Sequence, residues 1–156
     1  MIRVPDSVQP VSEIDQATRQ EIVDLLYFLP VLYPGGAEWL TKRLIDVERG
    51  RAWADLVRVN GELVGISIAL KKPSGRLKIS TLFIAPEARS HGYGSALLDR
   101  MLKRAAESGA PEVYITGAST VRAQLEPLLS SRDFERVALE QGRYGPGRDE
   151  DIYVRR

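Results

Sequence analysis

The chain reads as a mixed α/β (α+β) fold, a central and mostly antiparallel sheet of about six to seven strands flanked by about four helices. Three observations predict it. Two helical stripes open the chain, three strand-like runs joined by tight turns follow, and a helix with a sharply apolar face then leads into shorter strand-like runs. With 156 residues, 44% of them hydrophobic and 28% charged, the chain has the size and composition of one globular domain spanning 1–156.

From Asp15 onward, Ile22, Leu25, Leu26 and Leu29 recur at helical spacing, with Asp15 placed to cap and Pro30 to stop the helix. After the breaker Pro34-Gly35-Gly36, the stripe Leu40, Leu44 and Val47 predicts a second helix that stops near Gly50. The period then changes. Ala52 to Val59 is strand-like, Asn60-Gly61 is a two-residue hairpin signal, and Val64, Ile66, Ile68 and Leu70 alternate as if on one face. Pro73-Ser74-Gly75 turns the chain into a third strand, Arg76 to Ile84, which Pro86 ends. Leu97, Leu98, Met101, Leu102 and Ala105 then share one side of a helix closing at Ser108-Gly109. Val113 to Thr116 reads as a buried strand and Val121 to Leu129 as a helix with a kink or start at Pro127. Phe134 to Leu139 and Ile152 to Val154 read as closing strands around a glycine-rich loop, Gly142 to Gly147.

Composition excludes several functions. Twenty-two Lys and Arg against 21 Asp and Glu leave a formal net charge of +1, too balanced for a general nucleic-acid or membrane field. Lys71, Lys72, Arg76 and Lys78 do cluster around one hairpin, without the interleaved aromatics of a base-stacking surface. Cysteine is absent and His91 is the lone histidine, so thiolate chemistry, disulfides and histidine metal clusters have no residues to build them. The stretch Met1 to Pro10 carries charges and prolines where a secretory signal needs an apolar run, and no run reaches bilayer length. A cytoplasmic protein is expected, as monomer or homodimer.

The segment with chemistry is Arg89-Ser90-His91-Gly92-Tyr93-Gly94, between a strand and a helix. Such a junction presents unpaired backbone N–H groups and the positive end of a helix dipole, which suits a phosphate. Two glycines let a ligand approach the backbone, and Arg89 adds a cation at the mouth. A dinucleotide turn would want a third glycine at position 97, which is Leu97, and a nucleotide-triphosphate loop would want a Gly-Lys-Ser/Thr ending. His91 has no neighbour in sequence to orient it as a base and reads as a solvated turn residue.

These residues resemble the signature of the GNAT superfamily of acyl-CoA-dependent N-acyltransferases: Arg or Gln, two variable residues, Gly, one variable residue, then Gly or Ala. The lead-in Leu82-Phe83-Ile84-Ala85-Pro86-Glu87, the helix opening Ser95-Ala96-Leu97-Leu98 and the ending Asp151-Ile152-Tyr153-Val154 resemble the family too. The resemblance implies acetyl-CoA as acyl donor. It implies pantetheine on the backbone of Leu82, Phe83 and Ile84, and pyrophosphate on the turn formed by Arg89, Ser90, His91, Gly92, Tyr93, Gly94 and Ser95. It also implies an amine acceptor, small molecule or protein, entering between two loops. Here those loops are Val31 to Trp39, offering Tyr33, Glu38 and Trp39, and Glu140 to Glu150. Trp39 reads equally as core, and the charges of the second loop as a solvated hairpin tip.

The sequence departs from the family where proton transfer is concerned. Leu129 falls where many members carry an acidic Tyr, and Asp133 replaces the Gly before Phe134. The strand Leu77 to Ile84 has no carboxylate to act as base, although Ser80 or Thr81 could hold a water. Tyr144 is therefore the candidate proton donor, since a phenol's pKa of about 10 lies close to that of a thiol leaving group. Direct attack of a neutral amine, with the oxyanion on backbone N–H groups near Ile84, is the expected reaction. A non-catalytic acyl-CoA-binding regulator and an acyltransferase for an RNA-linked amine are the competing readings.

Overall fold

The computed structural model describes residues 7–156. The expectation for the N-terminal stretch from Met1 lies outside the described residues over 1–6. Helix α1, Gln16–Leu25, starts where its cap was expected: the Asp15 carboxylate accepts the Thr18 N–H at 2.7 Å. It ends earlier than expected. Pro30 does not terminate it but lies in the first turn of a separate short helix α2, Leu29–Leu32, where a missing N–H costs nothing. Helix α3, Gly36–Glu48, buries Leu40, Leu44 and Val47, and packs so closely on α2 that a Cβ at Gly36 would lie 2.3 Å from the Leu29 carbonyl oxygen.

Strands β2 (Ala52–Val59), β3 (Glu62–Lys71) and β4 (Leu77–Ile84) form the expected meander, with Asn60 and Gly61 at φ 52° and 77° as the hairpin turn requires. A strand the sequence did not signal, β1 (Ser7–Val11), pairs antiparallel with β2 at the sheet edge, where Pro10 is tolerated. Helix α4 (Tyr93–Glu107) crosses over to β5 (Val113–Ala118), and α5 (Arg122–Ser130), β6 (Glu135–Glu140) and β7 (Glu150–Arg155) complete the chain. Pro127 lies inside α5 rather than at its start. The order is β1-β2-β3-β4-β5-β7-β6, antiparallel except for β4 against β5. The seven-stranded mixed sheet matches the predicted fold class.

Both faces of the sheet are covered. Ile22 of α1, its C-cap Leu26, and Leu40 and Leu44 of α3 pack on Leu56, Ile66 and Ile68, while Leu98 and Met101 of α4 and Leu129 of α5 pack on Leu77, Ile79 and Ile115. The even alternation expected of β3 is interrupted by a bulge opposite Val57/Arg58. The extra residue sends Val64 to the α4 face and brings Leu63 to join Ile66, Ile68 and Leu70. On the α4 face, fully buried Asp55 accepts hydrogen bonds from Arg104 Nη2 at 2.7 Å and Arg100 Nη2 at 3.2 Å, tying α4 to β2. No helix among the described residues is long and apolar enough to cross a membrane.

Candidate active site

The parallel pair at the centre of the sheet is short. β4 and β5 pair only at Leu77 with Val113, Lys78 with Tyr114 and Ile79 with Ile115. The register of β4 on β3 then shifts, with Ala69 opposite Ile79 but Ile68 opposite Thr81. This leaves Ser80 as the extra residue, its Oγ donating to the Ile68 carbonyl at 3.2 Å. Beyond it β4 follows β3 and β5 follows β7, so the two strands part. Leu125 of α5 lies over β5 so closely that a Cβ at Gly117 would come within 2.4 Å of it.

Along the gap, backbone direction sorts the three residues expected to hold pantetheine. Ala85 N–H donates to the Val64 carbonyl at 2.8 Å, so Phe83, two residues earlier, also faces β3, and Leu82 and Ile84 turn their backbone groups to the gap. Phe83 contributes its ring instead, 4.8 Å from that of Phe28 on the α1 face. Arg89 Nε donates to the Ile84 carbonyl at 2.9 Å, which leaves the Ile84 N–H directed into the gap.

The turn that follows ends the gap on the start of α4. Ser90 and Gly92 adopt left-handed φ of 68° and 83°, and the first bond of the helix runs from Ala96 N–H to the Gly92 carbonyl at 3.0 Å. The N–H groups of Tyr93, Gly94 and Ser95 thus precede the helical ladder, at the positive end of the dipole. His91 is exposed, its Nδ1 2.7 Å from the Arg89 carbonyl oxygen and its ring stacked 5.7 Å from Tyr93, so it serves the turn itself. Tyr93 is buried and anchors the helix. Nothing in the protein demands glycine at 94: a Cβ there would meet Ile84 and Leu128 at an ordinary 3.9 Å. It would point into the gap, however, and that is a reason for glycine external to the fold.

On the opposite face, the two loops expected at the acceptor mouth touch. The Arg148 guanidinium donates to the Leu32 carbonyl, and the rings of Tyr33 and Tyr144 meet edge to face at 4.8 Å. Tyr144 is therefore docked, with the Arg143 guanidinium 5.5 Å from its ring. Of the other candidates, Trp39 packs on the core with Arg43 5.8 Å from its ring, and Glu38 is exposed in the first turn of α3. Leu129, in the family's tyrosine position, is fully buried core, and Asp133 keeps the left-handed φ, 66°, that its glycine would have had.

One residue was missed. Glu150, part of what the sequence reads as a solvated tip, is the first residue of β7 and 5% exposed, and its carboxylate has neither ion pair nor hydrogen bond among the described residues. Its neighbour Asp151 points to the α5 face, where Arg122 Nη2 at 2.7 Å and Ser119 Oγ at 3.2 Å hold its pKa low. Strand alternation turns Glu150 the other way, to the α1 face of the sheet. Burial pushes the Glu150 carboxyl above its ordinary range, with Arg143 and Lys78 opposing and Asp151 and Glu140 adding to the shift. Had β7 been extended two residues toward its N-terminus, strand alternation would have assigned the two carboxylates to opposite faces.

A gap lined by backbone groups that no neighbouring strand pairs suits an extended, amide-bearing arm, and the helix start beyond it suits a diphosphate. Known proteins share the fold. The chain superposes on the ribosomal-protein-S18-alanine N-acetyltransferase from Escherichia coli with a TM-score of 0.77 at 14% identity, covering 96% of this chain and 93% of that one. It superposes on the aminoglycoside 6'-N-acetyltransferase from Enterococcus faecium with a TM-score of 0.75 at 14% identity, covering 96% of both. For Arabidopsis thaliana Naa50, in complex with the bisubstrate analogue CoA-Ac-MVNAL, the TM-score is 0.73 at 23% identity, over 96% and 99%. No match was found among curated proteins. The sequence profile of the acetyltransferase (GNAT) family matches residues 19–126, from α1 through the glycine turn into α5, and the chain belongs to that family.

Proposed function

We propose that the protein transfers the acetyl group of acetyl-CoA to a primary amine by direct attack within the gap between β4 and β5. The observation that carries this reading is the parting of the parallel pair immediately beside a helix start whose N–H groups precede its ladder. Acetyl-CoA supplies the activated thioester. Leu82 and Ile84 hold its arm by backbone groups, and the N–H groups of Tyr93, Gly94 and Ser95 hold its diphosphate, with Arg89, Ser90, His91 and Gly92 shaping the turn. The Ile84 N–H is placed to receive the oxyanion. Tyr144, docked on Tyr33 at the mouth, hands a proton to the departing thiolate. Glu38 and Trp39 border the entrance on α3.

The acceptor is an amine of a small molecule or protein, the two kinds named for the aminoglycoside and ribosomal-protein neighbours. An RNA-linked amine has less support. Lys71 Nζ is engaged with the Trp53 ring at 4.4 Å and the Gly50 carbonyl at 3.0 Å, and Arg76 with Glu112 at 2.7 Å. The test is mass spectrometry of the purified protein for co-purifying CoA species, followed by an amine panel scored by release of free thiol. Acetyl-CoA bound and thiol released only with an amine is the expected result; binding without release from any amine overturns the catalytic reading.

A further inference from the structure

The acceptor face holds a second charge without a partner. Lys78 of β4 pairs in register with Tyr114, and because Leu77 and Ile79 point to the α4 face, Lys78 points to the face that Glu150 occupies. No ion pair or hydrogen bond engages it among the described residues, and its side chain is half-buried. The nearby cations take other partners: Arg43 pairs with Asp46 at 3.3 Å and Arg143 with Glu140 at 2.8 Å. The Lys78 charge acts to lower the Glu150 pKa, yet no ion pair joins the two side chains among the described residues. Burial, with Lys72, Arg143 and Arg43 around it, pushes the Lys78 pKa down, the mirror image of Glu150. Withdrawing two opposite charges from water without pairing either is costly, and a fold that keeps both has them available for a ligand.

We infer that the acceptor is a small zwitterion, an amine that carries its own carboxylate, with Glu150 taking the ammonium and Lys78 the carboxylate. The inference rests on the acetyltransferase reading above and narrows its acceptor to the amino-acid class. Orientation follows from placement. Glu150 opens β7 opposite Ala118, beyond the point where β4 and β5 part, and Lys78 stands at the closed end of the gap, in the last stretch where those strands still pair. In the reaction Glu150 accepts one proton from the ammonium, and the nitrogen lone pair forms the new C–N bond as the thioester C–S bond breaks. The second N–H proton passes to the leaving thiolate through Tyr144, and Glu150 releases its proton to water. One ammonium and one thioester thus give an amide, a thiol and a proton.

The test sets α- and ω-amino acids against their carboxamides, which keep the amine and lose the charge. Thiol release should favour the acid over its amide in kcat/KM by about tenfold to a hundredfold, the range for a charge-assisted contact. Lys78→Met should bring that ratio close to one and Lys78→Arg should restore most of it, with acetyl-CoA affinity measured on each variant to report an intact fold. Turnover of no amino acid overturns the inference, as does an amide that matches its acid, or a preference that survives Lys78→Met. Release of thiol with other amines in those cases leaves the acetyltransferase reading standing, whereas failure to bind acetyl-CoA at all defeats that reading first.

Discussion

Replacing Gly94 with valine separates what the fold needs from what the donor needs. In the protein a Cβ at this position lies 3.9 Å from both Ile84 Cγ1 and Leu128 Cδ2, ordinary contact distances, and the φ is not left-handed. Glycine is itself a poor helix former, so valine in the first turn of α4 carries no propensity penalty. Folding stability should therefore change by less than about 1 kcal/mol. For the donor the same atoms are in the way. The added branches project into the gap between the end of β4 and α5, and screen the N–H groups at the helix start. Losing two charge-assisted hydrogen bonds at about 1.5–3 kcal/mol each weakens acetyl-CoA binding by about a hundredfold to ten-thousandfold. Gly94→Ala, whose single methyl fits the family pattern, should stay within about tenfold. Calorimetric titration with acetyl-CoA, alongside thermal unfolding of each variant, measures both quantities. A folded Gly94→Val protein that binds within about threefold of the parent would refute the assignment of this turn to the diphosphate.

Arg89→Ala should weaken acetyl-CoA binding by about fivefold to tenfold, less than Gly94→Val, because the exposed guanidinium contributes one screened contact and the tie to the Ile84 carbonyl. Tyr144→Phe should lower turnover by about a hundredfold with donor affinity preserved, read by kcat and calorimetry on one preparation; turnover within a few-fold of the parent removes Tyr144 from proton transfer. Asp55→Ala should cost about 3–5 kcal/mol in urea unfolding, since it leaves Arg104 and Arg100 facing a buried vacancy on β2. Glu150→Gln should raise the unfolding temperature at neutral pH while lowering turnover. A carboxyl whose folded pKa is raised favours the fold below its unfolded pKa and loses that contribution as pH rises through the folded value. The gain of the glutamine variant should therefore shrink on acidification, and an equal gain at all pH values would contradict the burial of Glu150.

How much of this was legible in the sequence depended on whether the signal was local. Asp15, Asn60-Gly61 and the stripe Leu97 to Ala105 act through neighbours a few residues away, and each sets a cap, a turn or a face where expected. The strand, glycine turn and helix start of the candidate phosphate site were legible for the same reason, because they are contiguous. Pro30 misled, since a proline that ends one helix and a proline that opens the next look alike from sequence. Strand β1 was hidden because Ser7–Val11 contains a proline and little apolar alternation, and it pairs only because β2 offers an edge. Glu150 was hidden by tertiary context: in a run of three acidic residues only the placement of β7 between β5 and β6 tells which carboxylate is buried without an ion pair, which is buried and paired with Arg122, and which bonds back to its own loop at Gly142.

In the proposed site one strand both binds the donor and makes the space for it. β4 enters the sheet between β3 and β5, and its last residue paired on both sides is Ile79; the next, Ser80, is the bulge residue. A bulge adds local twist and bends the strand that carries it, so the departure of β4 from β5 begins at that extra residue. Ser80 Oγ fixes the distortion by donating to the Ile68 carbonyl, and on the far bank Leu125 over Gly117 fills the α5 side that β4 has left. Leu82 and Ile84 then expose ladder groups that an ordinary central strand would have paired. Unpaired ladder groups inside a sheet are costly unless a ligand or water completes them. In this chain the proposed site is the interruption of its own sheet, and removing the interruption, by pairing β4 to β5 along its whole length, would satisfy the backbone and abolish the proposed donor binding together.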